Sequence, residues 1–179
     1  EHVLRELVVK SDAMVQVVRR AIKVARVEAS ILLQGESGVG KSMLAKLIHK
    51  MSPRKDGPYV KINCGAIPPS LMESELFGYE KGAFTGATAT RKGLFEMAQK
   101  GTLLLDEIGE LTPNLQAKLL GALDDGNIRR VGGSIQRPVD ARIIAATNTD
   151  IEYAMKNSAF RPDLYYRLGV IQIHVPPLR

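Results

Sequence analysis

The sequence predicts an α/β fold in which helices cover both faces of a five-stranded parallel sheet. Short apolar runs alternate with segments of helical periodicity, which is the pattern of strands joined by helical crossovers. The predicted strand Thr102–Leu105 carries three consecutive leucines, as is typical of strands buried on both faces. A glycine-rich segment between the first run and the next helix indicates a ligand-binding edge of this sheet.

The five strands are predicted from apolar runs that end at glycine, proline or polar turn residues. Each run has the length of a strand and is too short for a typical helix. In chain order the predicted strands are Ile31–Leu33, Tyr59–Ile62, Thr102–Leu105, Ile143–Thr147 and Val170–Val175.

The helices are predicted from apolar residues at helical spacing between these runs. In chain order they are Asp12–Ala25, Leu44–Met51, Leu71–Phe77, Leu94–Ala98, Leu115–Leu123, Thr149–Lys156 and Pro162–Gly169. Capping chemistry sets their starts, because serine and threonine hydroxyls accept the first free N–H groups. Ser11, Ser70 and Thr112 are the expected N-terminal residues, and Glu73 stands at capping-box spacing from Ser70.

The composition is that of a globular protein of one domain. The chain has 179 residues, of which 45% are hydrophobic and 25% charged, which is ordinary for such a domain. No apolar run has the length of a membrane span, and no signal-peptide pattern is present. A lone cysteine, Cys64, cannot form an internal disulfide, so a cytoplasmic location is expected. Three scattered histidines (His2, His49 and His174) indicate no zinc site.

The net charge of +6 is weak evidence for nucleic-acid binding. The basic residues are spread along the chain, and no helix-turn-helix, zinc finger or aromatic-plus-basic surface is recognisable. A bound nucleotide or an acidic partner surface explains this charge equally well.

The segment Gly35–Ser42 fits the phosphate-binding pattern G-x-x-x-x-G-K-[ST]. Its members are Gly35, Glu36, Ser37, Gly38, Val39, Gly40, Lys41 and Ser42. Successive backbone N–H groups of such a loop surround a phosphate, and the following helix adds positive charge there. Lys41 is expected to reach the outer phosphates, and the Ser42 hydroxyl to ligate Mg²⁺. The alternative, a glycine-rich turn that matches by accident, explains neither the preceding strand nor the following helix.

Further polar residues follow the other strands and are expected to converge on this loop. Asp106 is suited to holding Mg²⁺, and Glu107 to positioning or deprotonating an attacking water. Asn148 either senses the terminal phosphate or caps the helix after it. Asn63 either holds a carboxylate inactive or caps a turn. Cys64 is expected to be a small buried hydrophobe.

Two arginines bracket the short helix that begins at Pro162. Arg161 and Arg167 are separated by roughly 9 Å of helix. They are either solvated residues at the helix ends or arginine fingers, which stabilise charge in phosphoryl transfer. Spacing alone favours the solvated helix-end residues, and composition does not choose between the two readings. Arg129 and Arg130 are expected to be surface or interface charges.

The segment Gly82-Ala83-Phe84-Thr85-Gly86-Ala87 gives the chain a specific family resemblance. This GAFTGA hexapeptide is the signature of sigma-54-dependent transcriptional activators, also called bacterial enhancer-binding proteins, of the AAA+ ATPase class. The chain is similar to this family over nearly its whole length. The other matching segments are Glu75–Gly78, Gly101–Ile108 as the Walker B strand, Gln116–Leu120, Arg130–Gly133, Ile143–Asn148 and Phe160–Leu168.

The resemblance implies an AAA+ P-loop NTPase core over residues 1–179, truncated before the helical lid. It implies ATP and Mg²⁺ as ligands and a ring, usually a hexamer, with ATP between neighbouring subunits. Hydrolysis would move the Gly82–Ala87 loop against the sigma-54 factor and remodel the closed RNA polymerase–promoter complex. DNA would be contacted mainly through a C-terminal domain outside this chain.

The resemblance also implies roles for single residues. Asn63 matches a switch asparagine that would pair with Glu107. Arg161 and Arg167 match arginines that act on the neighbour's nucleotide. The segment Gly126–Gly133 matches a second loop that cooperates with the first.

Four residues depart from the family pattern. Ser42 stands where glutamate is common and restores the ordinary Mg²⁺ ligand of a phosphate loop. Asn127 replaces an acidic residue, which leaves the coupling role of the second loop open. Gly121 and Gly169 are expected to loosen their helices, at a cost of about 1 kcal/mol for Gly121 relative to alanine.

Two other functions remain open from the sequence. The first is a nucleotide-gated module that binds sigma factor without appreciable turnover. The intact Asp106-Glu107 pair argues against it, whereas the missing lid favours it. The second is another AAA+ remodeller acting on protein or DNA, which requires the hexapeptide to be a coincidence.

Overall fold

A parallel sheet of five strands runs through the centre of the molecule. The structure is a computed structural model that describes residues 11–177; His2, Leu178 and Arg179 lie outside this range. The strands of the sheet are β1 (Ile31–Gln34), β2 (Tyr59–Asn63), β5 (Thr102–Asp106), β8 (Arg142–Thr147) and β9 (Ile171–His174). Their spatial order is β2-β5-β8-β1-β9, and every neighbouring pair is parallel. The predicted five-stranded parallel sheet is therefore confirmed.

Helices connect the strands and lie on both faces of the sheet. They are α1 (Asp12–Ala25), α2 (Lys41–Lys50), α3 (Pro69–Phe77), α4 (Leu94–Met97), α5 (Pro113–Asp125), α6 (Ile151–Lys156) and α7 (Pro162–Leu168). A 3-10 turn covers Ile108–Glu110. Within residues 11–177, no helix combines the length and the apolar composition needed to cross a bilayer.

Two hydrophobic cores form because successive strand residues point to opposite faces. Ile31 and Leu33 of β1 pack with α1 and α2 on one face. Leu32 packs on the other face, in the core that contains Leu119 of α5 and Leu164 of α7. The apolar stripe of α1 therefore lies beside the first strand, as its spacing predicts.

The start of each helix tests the capping predictions. Ser11 accepts a hydrogen bond from Met14 N at 3.3 Å, and Thr112 accepts from Leu115 N at 3.5 Å, so both predicted caps are confirmed. The Ser70 cap is wrong, because α3 already begins at Pro69 after Pro68 at the N-cap position. Proline fixes the backbone angle of a first helical residue, and Ser70 consequently lies inside the helix.

Two further side chains near helix starts have different partners from those expected. Glu73 makes no capping box and instead pairs with Lys118 of α5. Asn148 does not cap α6, because Asp150 accepts the hydrogen bond from Tyr153 N at 3.0 Å. The capping alternative for Asn148 is therefore wrong.

Two small antiparallel ladders form separately from the main sheet, and neither was expected from the sequence. The first joins β3 (Gly78–Tyr79) to β4 (Arg91–Lys92). The second joins β6 (Asn127–Ile128) to β7 (Arg137–Pro138). The β3–β4 ladder brackets residues 80–90, which include the hexapeptide Gly82–Ala87, and the β6–β7 ladder brackets residues 129–136.

Arg142, the first residue of β8, is buried and secures the end of α1. Its guanidinium donates to Ala25 O at 2.6 Å and to Val24 O at 2.9 Å. These carbonyls belong to the last turn of α1, where intrahelical partners run out. Burial lowers the pKa of Arg142 from its ordinary value, and its hydrogen bonds are all to backbone oxygens.

Candidate functional site

The predicted phosphate loop forms a cleft at the carboxyl edge of the sheet. Gly40 has a φ of 97° and precedes the first residue of α2, while Gly38 has a φ of 80°. Such left-handed backbone favours glycine. The cleft has a volume of about 280 Å³. It is lined by Ser37, Gly38, Gly40, Lys41, Ser42, Met43, Asn63, Asp106 and Glu107.

Gly35 lies where the chain leaves β1 between its two neighbouring strands. Its N–H donates to Thr147 O at 3.2 Å. A Cβ at this position would stand only 2.6 Å from Val175 O. The first glycine of the loop is therefore required by close packing.

Lys41 is buried beneath the loop. Its Nζ donates to Gly35 O and to Glu36 O, each at 2.8 Å, and only 6% of the residue is exposed. These bonds hold the ammonium against the inner side of the loop.

Ser42 and Asp106 meet across the cleft. The Ser42 hydroxyl donates to Asp106 Oδ2 at 3.1 Å. Both are oxygen ligands of the kind that Mg²⁺ prefers, and the metal usually completes its shell with water and phosphate. Within residues 11–177, no group of three or more histidine, cysteine or acidic side chains could hold a metal ion alone. The residues present therefore fit Mg²⁺ bound together with a nucleotide.

Lys61 is a residue of this site that the sequence analysis missed. Its Nζ donates to Ser42 Oγ at 2.8 Å and lies 3.1 Å from Asp106 Oδ2. The available signal was the alternation of β2, since Lys61 and Asn63 must share a face and Asn63 was already assigned to the site. Val60 and Ile62 pack into the core on the opposite face.

Glu107 follows β5 in a left-handed backbone conformation, with a φ of 53°. Its N–H donates to Asp106 Oδ1 at 3.1 Å. Its Oε2 accepts from the backbone N–H of Asn148 at 3.4 Å. A non-glycine residue in this region is strained, and here the strain turns the Glu107 side chain toward the end of β8.

Asn148 lies in a second cleft on the other side of the phosphate loop. This cleft has a volume of about 420 Å³. It is lined by Gln34, Gly35, Glu36, Asn148, Thr149, Asp150, Glu152 and His174. The Asn148 carboxamide oxygen accepts from Thr149 Oγ1 at 3.5 Å, so the side chain is oriented beside the loop.

Asn63 adopts the geometry of the turn-capping alternative. Its Oδ1 accepts from Gly65 N at 2.9 Å, and its backbone is the register partner of Asp106. Glu107 is nevertheless close, because a Cβ built on Gly65 would lie 3.4 Å from Asn63 Oδ1 and 4.0 Å from Glu107 Cβ. In this structure the Glu107 carboxylate bonds to Asn148 and the Asn63 carboxamide to Gly65.

Cys64 is almost completely buried, at 4% exposure, as its expected role as a small hydrophobe requires. Burial raises the pKa of its thiol to about 12, and the nearby Asp106 and Glu107 carboxylates add to the effect. The thiol is therefore uncharged at neutral pH and is a poor nucleophile.

Arg161 and Arg167 are not brought to this chain's own cleft. Arg161 forms a bidentate salt bridge with Asp163, in which Nε donates to Oδ1 at 3.0 Å and Nη2 donates to Oδ2 at 2.8 Å. Arg167 donates to Leu123 O at 2.7 Å and pairs with Asp124 at 3.1 Å. Neither arginine lines the clefts beside the phosphate loop, and both side chains are nearly half exposed.

The hexapeptide Gly82–Ala87 forms a closed loop above the β3–β4 ladder. Gly82 N donates to Ala87 O at 2.8 Å, and Gly82 and Gly86 have φ angles of 83° and 97°. Phe84 is 43% exposed. Its ring lies edge-on to Tyr79, with centroids 4.9 Å apart, so the loop presents one aromatic side chain from a folded base.

Arg130 is buried, so its expected place on the surface is wrong. Its guanidinium donates to both oxygens of Glu96, at 2.8 and 2.9 Å, and to Glu80 Oε1 at 3.2 Å. The hydrogen bonds from Arg130 lower the pKa of Glu96 below its ordinary value. Single-sequence periodicity carries no sign of such a pairing between residues far apart in the chain.

The second glycine-punctuated segment, Gly126–Gly133, packs directly on the first loop. Val131 N donates to Gly78 O at 2.9 Å, and Glu80 N donates to Val131 O at 3.0 Å. A Cβ on Gly132 would lie 2.7 Å from Ala83 Cβ. The two loops are therefore joined by backbone hydrogen bonds and by a contact that has room only for glycine.

Comparison with known proteins identifies the family to which this chain is similar. Residues 7–174 match the family model described as the Sigma-54 interaction domain. The chain is 56% identical over 169 residues to the Nif-specific regulatory protein of Rhizobium etli, covering 94% of this chain and 29% of that protein. It therefore spans less than a third of this relative's length.

Two solved structures resemble this chain. NtrX from Brucella abortus in complex with ATP superposes with a TM-score of 0.88 at 38% identity, over 96% of this chain and 38% of that one. The P-loop NTPase domain of the Sigma-54 transport activator from E. coli superposes with a TM-score of 0.61, over 95% of this chain and 99% of that one. At 22% identity, the second likeness shows the fold alone.

Proposed function

The chain belongs to the Sigma-54 interaction domain family, and from this premise we propose that it is an ATP-hydrolysing motor of sigma-54-dependent transcription activation. One observation carries the proposal: Lys41, Ser42, Asp106 and Glu107 line a single cleft in a chain that also presents the Gly82–Ala87 loop. A phosphate site explains the first feature and a protein partner the second. The NtrX relative was crystallised with ATP, which supports ATP as the nucleotide here.

ATP binding begins at the loop Gly35–Ser42. Its N–H groups and the N-terminus of α2 bind the phosphates, and Lys41 exchanges its carbonyl partners for phosphate oxygens. Ser42 and Asp106 hold Mg²⁺, which neutralises charge on the phosphates when it is bound.

Hydrolysis breaks the bond between the terminal phosphorus and the bridging oxygen as water attacks that phosphorus, which yields ADP and inorganic phosphate. Glu107 orients the water and accepts its proton. Asn148 lies beside Glu107 and senses the terminal phosphate, and Asn63 provides an alternative partner that holds Glu107 inactive. The adjacency of Asn63, Glu107 and Asn148 supports this exchange.

The arginines complete the site of a neighbouring copy. Arg161 and Arg167 are nearly half exposed and do not line their own cleft, which favours action across an interface in a ring, here proposed to be a hexamer. Their charge would then stabilise the transition state on the neighbour's nucleotide.

The loop Gly82–Ala87 is the proposed contact with sigma-54. Phe84 and Thr85 are exposed on a loop whose base is fixed by hydrogen bonds, and exposed aromatic residues commonly dominate binding energy. Hydrolysis would move this loop and remodel the closed promoter complex in the cytoplasm, while DNA is contacted mainly by a C-terminal domain.

One experiment tests the proposal against a binding module without turnover. The chain is incubated with purified sigma-54 in the presence of ADP and aluminium fluoride, which mimic the transition state, and ATP hydrolysis is measured in parallel. Retention of sigma-54 together with hydrolysis supports the motor. Retention without hydrolysis at concentrations that form rings indicates the binding module, and absence of both rejects the proposal.

A further inference from the structure

The ammonium of Lys61 lies between the two proposed metal ligands. It is 2.8 Å from Ser42 Oγ and 3.1 Å from Asp106 Oδ2, and the Ser42 hydroxyl itself donates to that same Asp106 oxygen. The three groups therefore form a closed triangle. Each of the two oxygens is one that a bound divalent metal would use.

The position of Lys61 on β2 makes this contact specific. Lys61 extends from the edge strand toward α2, on the face opposite Val60 and Ile62. Asp106 is largely buried, with 12% of its side chain exposed. The structure shows no other cation within salt-bridge distance of the Asp106 carboxylate among residues 11–177. A buried carboxylate needs such a partner.

A metal ion and this ammonium cannot share the two oxygens, because both are cations and both need the same lone pairs. Lys61 is able to leave, since 44% of its side chain is exposed and long lysine side chains have many accessible conformations. Lys61 itself belongs to neither hydrophobic core.

We propose that Lys61 and a divalent metal are alternative occupants of one cation position in the nucleotide site. Without metal, Lys61 neutralises Asp106 and supplies the positive charge that lets the phosphate loop bind a nucleoside polyphosphate. When metal enters, Lys61 withdraws and its former oxygens become metal ligands. The inference rests on the proposed nucleotide site.

Removing the ammonium therefore has opposite effects in the two conditions. Lys61→Met keeps the length of the side chain and removes its charge. Metal-free ATP affinity should fall about tenfold, the size of one charge-assisted hydrogen bond. The Mg²⁺ concentration that gives half-maximal ATP affinity should also fall severalfold, because the metal no longer competes with an ammonium. A purely structural role would weaken binding in both conditions.

The experiment measures ATP binding by isothermal titration calorimetry, first in EDTA and then across a MgCl₂ series. Lys46→Met is the matched control, because Lys46 is exposed on α2 away from the triangle, and it should behave as the unaltered chain. Lys61→Arg keeps the charge and should retain most of the metal-free affinity. If Lys61→Met melts early, Lys61→Gln replaces it.

Three results would overturn the inference. The first is unaltered binding by Lys61→Met in both conditions, and the second is a parallel loss in both. The third is undetectable metal-free binding by the unaltered chain. If the unaltered chain binds no ATP even with Mg²⁺, the proposed nucleotide site itself fails, so the two failures are distinguishable.

Discussion

The carboxylate of Glu107 accepts a hydrogen bond from the backbone N–H of Asn148, at 3.4 Å between Oε2 and N. These residues directly follow β5 and β8, which are adjacent in the sheet. A carboxylate held by a backbone group at the end of the next strand has a defined direction beside the phosphate loop. This relationship ties the proposed base to the proposed phosphate sensor and leads to the first prediction.

Glu107→Gln should abolish ATP hydrolysis while leaving ATP affinity nearly unchanged. The amide keeps the size of the side chain but cannot accept the proton of water, and loss of a general base typically costs about 100-fold or more in rate. Phosphate release and calorimetric binding measure the two effects. Glu110→Gln, an exposed change in the adjoining turn, should leave both intact. Normal turnover by Glu107→Gln in an assembled ring would disprove the assigned role.

Thr85→Ala should leave ATP hydrolysis largely intact while sigma-54 retention with ADP and aluminium fluoride falls about tenfold. Thr85 is exposed at the tip of the Gly82–Ala87 loop, far from the proposed chemistry. Open-complex formation should fail for the same reason. Thr88→Ala, just beyond the loop, serves as the control. Normal open-complex formation by Thr85→Ala would reject the loop as the contact.

Arg161→Ala should abolish ATP hydrolysis, and mixing this variant with a second inactive variant should restore part of the activity. Equal amounts of Arg161→Ala and Lys41→Ala chains, each inactive alone, should regain activity because some interfaces then combine an intact loop with an intact arginine. The pair with Asp163 is exposed, so its loss should change the stability of the fold little. The same holds for Arg167→Ala, with exposed Arg20→Ala as control. Activity that follows only each chain's own arginines would exclude action across the interface.

Glu96→Gln should destabilise the fold at neutral pH by about 1–2 kcal/mol, because it removes the charged partner of buried Arg130. The pKa of Glu96 is lowered in the folded chain, mainly by hydrogen bonds from Arg130, so the unfolded chain takes up the proton first as the pH falls. The stabilisation is therefore complete above the ordinary value of 4.5 and is lost as the pH falls through the lower folded value.

Urea unfolding of both chains from neutral pH to about pH 3 measures this effect. The difference between Glu96→Gln and the unaltered chain should shrink across the acid range. Glu75→Gln, which removes the exposed partner of Arg91, should change stability far less at any pH. A constant difference for Glu96→Gln across the range would contradict the assigned pairing.

Gly121→Ala should stabilise the chain by about 1 kcal/mol. Gly121 lies inside α5, and a Cβ there would meet no atom within 4 Å, so alanine gains helix propensity without a clash. Gly126→Ala, five residues further along the chain, should have the opposite effect on stability. Gly126 has a φ of 65°, and alanine in this left-handed position should cost about 1 kcal/mol. Thermal melts measure both changes, and destabilisation by Gly121→Ala would refute the first.

The main sheet could be predicted from the sequence because each strand is a short apolar run with clear ends. The strand Thr102–Leu105 was one residue short of β5, and the cap residues Ser11 and Thr112 were right because their hydroxyls precede uninterrupted helical periodicity. The β3–β4 and β6–β7 ladders could not be predicted, because each of their strands has only two residues. Such short strands show no hydrophobic alternation. The Ser70 cap failed because the proline before it starts the helix earlier.

Convergence at the site was predictable for residues that end strands. Asp106, which ends β5, and Glu107 after it line the same cleft as Ser42 of the phosphate loop, as the rule for parallel sheets requires, although their roles stay predictions. The alternation of β2 places Lys61 on the same face as Asn63, but the ion-pair partners of Lys61 and Arg130 were not predictable, for a common reason. Their importance depends on which carboxylate a long side chain reaches, and this is decided by the packing of distant segments.

The contact between Gly132 and Ala83, which has no space for a Cβ, limits how this scaffold can be re-engineered. A hexapeptide transplanted into another phosphate-loop protein would have to bring the segment Gly126–Gly133 with it. If only one of the two loops were varied in an engineering experiment, the tip of the Gly82–Ala87 loop would lose its packing partner. Both loops should therefore be varied together.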